Sequence, residues 1–256
     1  MERQIFSVGD DMPIIASDIE HRNSKSGAAA DGEATGDGLG GYMSSDVITD
    51  DTVENLFDNV TSQESEDGDT EYRAFFILND HATLTYEACR VYLYDNYPMC
   101  ALTTQLENGG SEVTVDVDDN ENFPDTGAFF CEDEEIAYTG KTGTTAFTGC
   151  TRGSNSTSKV EHTVGKKCEH NKLSFCTEDP GTPNTNPIQT IGNESTEPSN
   201  GETAWSQARL YADGDVIGDL APSEKYGVWL KRQVPVGAQA KSGIYVTARV
   251  KGDTQE

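Results

Sequence analysis

Tyr72-Arg-Ala-Phe-Phe-Ile-Leu78 is rich in aromatic and branched side chains, spans the length of one strand, and runs into the turn signal Asn79-Asp80-His81. Thr83–Tyr86 then reads as a continuing strand. Arg90-Val-Tyr-Leu-Tyr94 alternates and stops at Asn96-Tyr97-Pro98. Glu112-Val-Thr-Val-Asp-Val-Asp118 alternates strictly, which predicts a half-buried strand with Val113, Val115 and Val117 on one face and acids on the other. The last quarter repeats the style in Ala208–Tyr211, Tyr226–Arg232 and Ile244–Val250, separated by Asp213-Gly214, Ala221-Pro222 and Pro235-Val-Gly237. No segment holds a helical period over a useful length. Asp51–Asp58 offers one helical turn, with Asp50 or Asp51 as its cap. Many short strands divided by turn residues predict an all-β fold, an antiparallel sandwich of immunoglobulin-like or jelly-roll type.

Outward from these strands, the composition changes. Residues 1–50 offer little core material, and Ser24–Gly41 is Gly, Ala and Asp without period. Residues 1–50 are therefore expected to be an extended N-terminal arm, a disordered tail or an assembly strap whose sticky patch is Met12, Ile14 and Ile15. The sandwich is assigned to 51–120 and 200–256. Residues 121–176 read as an inserted small β module, with short strands at Phe129–Cys131, Glu135–Tyr138 and Thr145–Thr148, and 177–199 as a polar linker.

The charge is lopsided. Eighteen Lys+Arg against 45 Asp+Glu leave −27, which argues against nucleic acid and acidic membrane surfaces as partners. No apolar run reaches the ~20 residues of a spanning helix, and the N-terminal Met1–Pro13 carries no signal-peptide core. Such acidity fits a salt-loving source, because at about 1 M salt the Debye length shrinks to ~3 Å and silences the repulsion. The plainer reading is solubility.

Three stretches together resemble structural proteins of tailed viruses. The first runs from Leu56-Phe-Asp-Asn-Val60 through Gly68–Arg73 to Asn79–Leu84. The second joins Phe123–Gly127, Asp133–Thr142, Thr148–Gly153 and His162. The third joins Gly227–Arg232, Val234–Ala238 and Arg249–Asp253. The first and third are similar to two halves of a virion β-sandwich, and the second to a small β module of fibre, tail and head-surface proteins. The resemblance covers about half of the chain. It implies a non-enzymatic, homo-oligomeric virion component and carries no catalytic residue. Trp229, where a strand meets a turn, is expected to anchor the sandwich.

Six cysteines permit up to three disulfides. Cys168 with Cys176 would close a hairpin, and Cys131 with Cys150 would span two strands; free buried thiols are the alternative. His162, Cys168, His170 and Cys176 are mixed zinc-type ligands in an order that matches no familiar finger. Asp116, Asp118, Asn120 and Asn122 recur as in a calcium loop, but Glu121 and Gly127 break the EF-hand pattern. A looser site for a structural divalent cation would use Asp118, Asp119 and Glu121. Glu132–Glu135 reads as a solvated acidic face. Asn59, Asn155 and Asn193 head glycosylation sequons. Tyr94, Tyr97 and Trp205 are candidates for stacking on a host-surface glycan. G-x-S-x-G, H-E-x-x-H and a phosphate-binding glycine loop are all missing, so no hydrolase has positive support.

Overall fold

The computed structural model describes residues 14–49, 52, 55–96, 99–170, 172–181, 185–199, 204–237 and 245–254. In chain order, β1 (Ile19–Lys25), β2 (Gly40–Val47), helix α1 (Ser62–Asp67), β3 (Asp69–Asn79) and β4 (Tyr86–Asn96) come first. They are followed by β5 (Met99–Ala101), β6 (Thr114–Asp116), β7 (Gly127–Cys131), β8 (Glu134–Tyr138), β9 (Gly140–Thr142), β10 (Ala146–Thr148) and β11 (Lys167–Glu169). The chain closes with β12 (Lys172–Glu178), β13 (Ile188–Thr190), β14 (Asp215–Leu220), β15 (Lys225–Val234) and β16 (Tyr245–Thr254). The fold is all-β and antiparallel throughout.

A six-stranded sheet, β12-β15-β3-β1-β2-β13, faces a three-stranded sheet, β14-β4-β16. Side chains alternate across each strand, so Phe75 and Ile77 of β3, Val228 and Leu230 of β15 and Phe175 of β12 meet Val91 and Leu93 of β4 between the sheets. The intervening residues Ala74, Phe76, Leu78, Trp229 and Cys176 fill a second core on the opposite face. A strand buried on both faces needs a continuous apolar run, which is why 74–78 reads as one. The sheet curls to enclose that second core. A Cβ on Gly227 would lie 2.6 Å from Ile188, and one on Gly40 would meet the Gln189 carbonyl at 1.8 Å and the Trp229 ring at 2.8 Å. Only glycine lets β13 close over β15. Trp229 is fully buried there and donates from Nε1 to Glu178 at 2.8 Å.

Residues 99–170, between β4 and β12, pack around a separate core. Its two sheets, β5-β11-β7-β8 and β6-β10-β9, close on Phe147, whose ring centroid lies 4.5 Å from Phe129, 4.6 Å from Tyr138 and 5.1 Å from Phe123. The unit thus takes in β5 and β6, which were expected in the sandwich, and gives up β12. Alternation in 112–118 identifies a strand but not the core it faces. Val115 and Val117 are buried, whereas Val113 lies before β6 and is exposed.

The N-terminal region is corrected most. Residues 19–47 are not an arm: β1 pairs with β3 from Ile19↔Asn79 to Asn23↔Phe75, and β2 pairs with β1 and β13. Its Gly-Ala-Asp stretch is an ordered loop. Asp37 accepts from the Ser26 N–H, the Ser26 hydroxyl, the Leu39 N–H and Lys25. Asp31 accepts from the Met43 N–H and pairs with the buried Lys225 of β15. Ile14 is buried and Ile15 exposed, and Met12 falls outside the described residues.

Three smaller differences follow the same logic. The linker 177–199 contains β13. Residues 83–85 and 208–210 are not strand. The turn expected at 51–58 lies in part outside the described residues, and a helical turn forms at Ser62–Asp67, where Thr61 caps it by accepting from the Glu64 N–H and Glu64 accepts in return from the Thr61 N–H. Among the described residues, no helix is long and apolar enough to cross a membrane.

Candidate functional site

The densest polar chemistry lies in the 99–170 unit. The β7–β8 hairpin turns at Glu132-Asp133, with Glu132 at φ +55°, and aims Glu134 inward. Glu134 Oε1 accepts from Arg152 Nε at 2.6 Å and the Gly153 N–H at 2.9 Å. Its Oε2 accepts from Arg152 Nη2 at 2.7 Å and the Val160 N–H at 3.1 Å, and meets His162 Nε2 at 2.9 Å. The Glu134, Arg152 and His162 side chains are all fully buried. Arg152 also reaches Glu112 at 2.8 Å, and His162 Nδ1 lies 2.9 Å from Glu132, which pairs onward with Lys166. The imidazole donates to both carboxylates only when it carries both ring protons.

Burial pushes the Glu134 carboxyl up, and the hydrogen bonds from Arg152, Val160 and His162 outweigh it, holding it below the ordinary 4.5. Glu112 is lowered against the same opposition from burial, and Glu132 is lowered chiefly by the Lys166 hydrogen bond. A carboxylate with both oxygens multiply engaged and no solvent contact is a strut. The predicted solvated face at Glu132–Glu135 therefore holds for Glu132 and Asp133 and fails in its second half, where Glu134 and Glu135 are buried. Sequence missed this because the partners Arg152 and His162 lie 18 and 28 residues away.

The predicted disulfides are not formed. All six cysteines are free and buried. Cys168 stands opposite Cys100 on one side and Cys131 on the other, in the row β5-β11-β7. Cys176 belongs to the sandwich, opposite Trp229, and Cys150 follows β10 in the other small sheet. Neither proposed pair thus shares a sheet. Desolvation pushes the Cys150 thiol to about 11, and those of Cys89 and Cys176 to about 12, so none is an activated nucleophile.

The predicted cation ligands Asp118, Asp119 and Glu121 are exposed, and the two aspartates accept from backbone N–H groups. Asp118 accepts from the Ala101 and Asp119 N–H groups, and Asp119 from the Glu121 N–H. The mixed set His162, Cys168, His170 and Cys176 is divided among the ion network, two cores and the packing of His170 on Phe123. Among the described residues, the acids whose ligand atoms do converge are Glu64, Asp69 and Glu71.

An open cleft of about 420 Å³ lies where the two units meet, between Asp69 and Gln233 of the sandwich and Glu135, Asn155 and Thr157 of the small unit. Its lining offers carboxylates, amides and hydroxyls, with no histidine, cysteine or lysine. Trp205, one of the candidate glycan platforms, is engaged instead: Nε1 donates to Glu197, the ring packs on Tyr72 at 5.6 Å, and Lys231 stands 5.4 Å above it. The side chains of Tyr94 and Tyr97 fall outside the described residues. The sequon residues Asn59, Asn155 and Asn193 are all exposed. Comparison with family models, with characterised proteins and with solved structures finds no match for this chain.

Proposed function

We propose that this chain is a non-enzymatic structural protein on the exterior of a tailed virus, a head decoration or vertex turret subunit that assembles with other virion proteins and copies of itself through its sandwich. The observation that carries the reading is the architecture: a curled sandwich buried on both faces of its main sheet holds out a second, separately cored β unit from the connection between β4 and β12. Such a body presents surface rather than enclosing substrate. The densest polar cluster supports the same view, because the Glu134, Arg152 and His162 side chains bond one another and keep no solvent contact. The −27 charge suits a coat exposed to concentrated salt.

A collar or tail position is the closest alternative within the class, and a glycan-binding adhesion module the next. The packed state of Trp205 weakens the latter. Quantitative mass spectrometry of purified particles, scaled to the major capsid protein, tests the proposal. Hundreds of copies place the chain on the capsid lattice, and about sixty place it at the five-fold vertices. About six or twelve move it to the collar or tail. Absence from the particle overturns the reading.

A further inference from the structure

We propose that Glu64, Asp69 and Glu71 form a binding site for one hard divalent cation of calcium size. One carboxylate oxygen from each lies within 4.8 Å of the others. Calcium–oxygen distances of about 2.3–2.6 Å put opposite ligands about 4.6–5.2 Å apart, so one ion can touch all three.

A cluster of acids would carry little alone in so acidic a chain. The deciding feature is Glu71, which is only 1% exposed and whose Oε1 has no hydrogen-bond partner among the described residues. Its Oε2 is taken by Arg232, which stands directly across the β3–β15 ladder and donates from Nε at 2.6 Å. A buried carboxylate oxygen without a partner is costly, and native structures resolve that cost with a donor, a water or an ion. Asp69 and Glu71 are alternate residues of β3 and so share a face. The short helix α1, turned back through Gly68, brings Glu64 over that face, where Glu64 Oε2 accepts from the Thr61 N–H. Arg232 and, at longer range, Arg73 face Glu71, so the three carboxylates keep an excess of negative charge for a cation to offset. The donors are all oxygen, which suits a hard ion.

The site sits where it would matter mechanically. Asp69 also lines the cleft between the two units, so a bound ion would tie α1 and the start of β3 together beside the small unit.

Isothermal titration of the chelator-stripped full chain with calcium chloride, and separately with magnesium chloride, tests this in molar potassium chloride. That salt screens diffuse attraction by the surface acids. The expected result is one saturable calcium per chain, weaker binding of magnesium, and a higher melting temperature in calcium. Asp69→Asn and Glu64→Gln should each weaken calcium at least roughly ten-fold. Both should leave the stripped protein melting as before, because Gln at 64 preserves the capping box. Glu71→Gln is less informative, since it disturbs the buried Arg232. Absence of saturable binding by either cation, or unchanged affinity in both variants, overturns the site. Magnesium binding tighter than calcium overturns the choice of ion.

Discussion

The sandwich excludes water with aliphatic and aromatic side chains from two facing sheets, whereas residues 99–170 close around four rings, four thiols and an ion network. Both units contain buried charge, but differently. In the sandwich, the partners of Lys225 and Glu71 keep some solvent contact: the Asp31 side chain is 26% exposed and that of Arg232 is 14%. In the small unit, Glu134, Arg152 and His162 keep none. Breaking a fully buried pair leaves a charge with nowhere to turn, and costs about 3–5 kcal/mol. A unit of this size, with one apolar core against the sandwich's two, has less to offset such a loss. The comparison therefore makes the small unit the polar-dependent half of the molecule.

Glu134→Gln breaks that half most directly, with an expected loss of about 3 kcal/mol. Both tryptophans, Trp205 and Trp229, pack with the sandwich, so their fluorescence should report a denaturation midpoint close to wild type. Thiol labelling should report the damage. Cys100, Cys131, Cys150 and Cys168 should react well before Cys89 and Cys176, which belong to the sandwich cores. All six reacting together would mean that the two units unfold as one and that the contrast has no energetic content.

Trp229→Phe is the mirror experiment. It removes ring volume from the second sandwich core and the Nε1 donor that Glu178 receives. The cavity and the weakened polar contact together should cost about 2–3 kcal/mol. Here Cys89 and Cys176 should label first, and the amide protons of the 99–170 unit should keep their protection.

Acid sharpens the comparison without a mutation. Glu112, Glu132 and Glu134 are held below their ordinary 4.5, so their stabilisation is present above that pH and is lost as pH falls through their lower folded values. Glu71 goes the other way. Desolvation outweighs Arg232 and raises its carboxyl above 4.5, so its ionised form costs the fold stability, and acid relieves that cost. Amide exchange in chelator below about pH 4 should show the small unit opening while the sandwich strands stay protected, with loss in the sandwich limited to the 26–39 loop that the lowered Asp37 holds. Simultaneous opening of both would contradict the assignment.

The same contrast explains what could be read from the amino-acid order. β3, β4, β15 and β16 carry runs such as Phe75-Phe76-Ile77-Leu78, because a strand covered on one or both faces must present branched and aromatic side chains. Trp229 was legible as an anchor for the same reason. β1, Ile19-Glu-His-Arg-Asn-Ser-Lys25, has one aliphatic residue and half-exposed side chains; it is a strand because β2 and β3 both pair with it, and backbone ladders leave no mark on composition. The ion network was illegible through distance: an acid such as Glu134 looks like any of 45 until the fold places Arg152 beside it. Cysteine parity suggested bridges, but parity says nothing about which sheet each thiol joins.

The smallest test concerns the loop that composition presented as a flexible arm. Asp37 is the hub that closes 26–39 on the end of β1: its carboxylate takes two backbone N–H groups, one hydroxyl and Lys25. Burial raises its carboxyl, and those hydrogen bonds, led by Ser26, overcome it and leave the group below 3.8. Asp37→Ala deletes the acceptor but buries no stranded charge, because Lys25 keeps solvent access. The loss should be about 1–2 kcal/mol, well short of the Glu134 variant. Its location matters more than its size. If the loop is part of the sandwich, exchange protection should fall along β1 and the start of β2, and Lys225, paired with Asp31 from the same loop, should transmit part of the effect to β15. Loss of protection confined to 26–39 would mean that the hairpin is held by its ladders with β3 and β13 alone, and that the aspartates only tidy a loop which the sheet does not need.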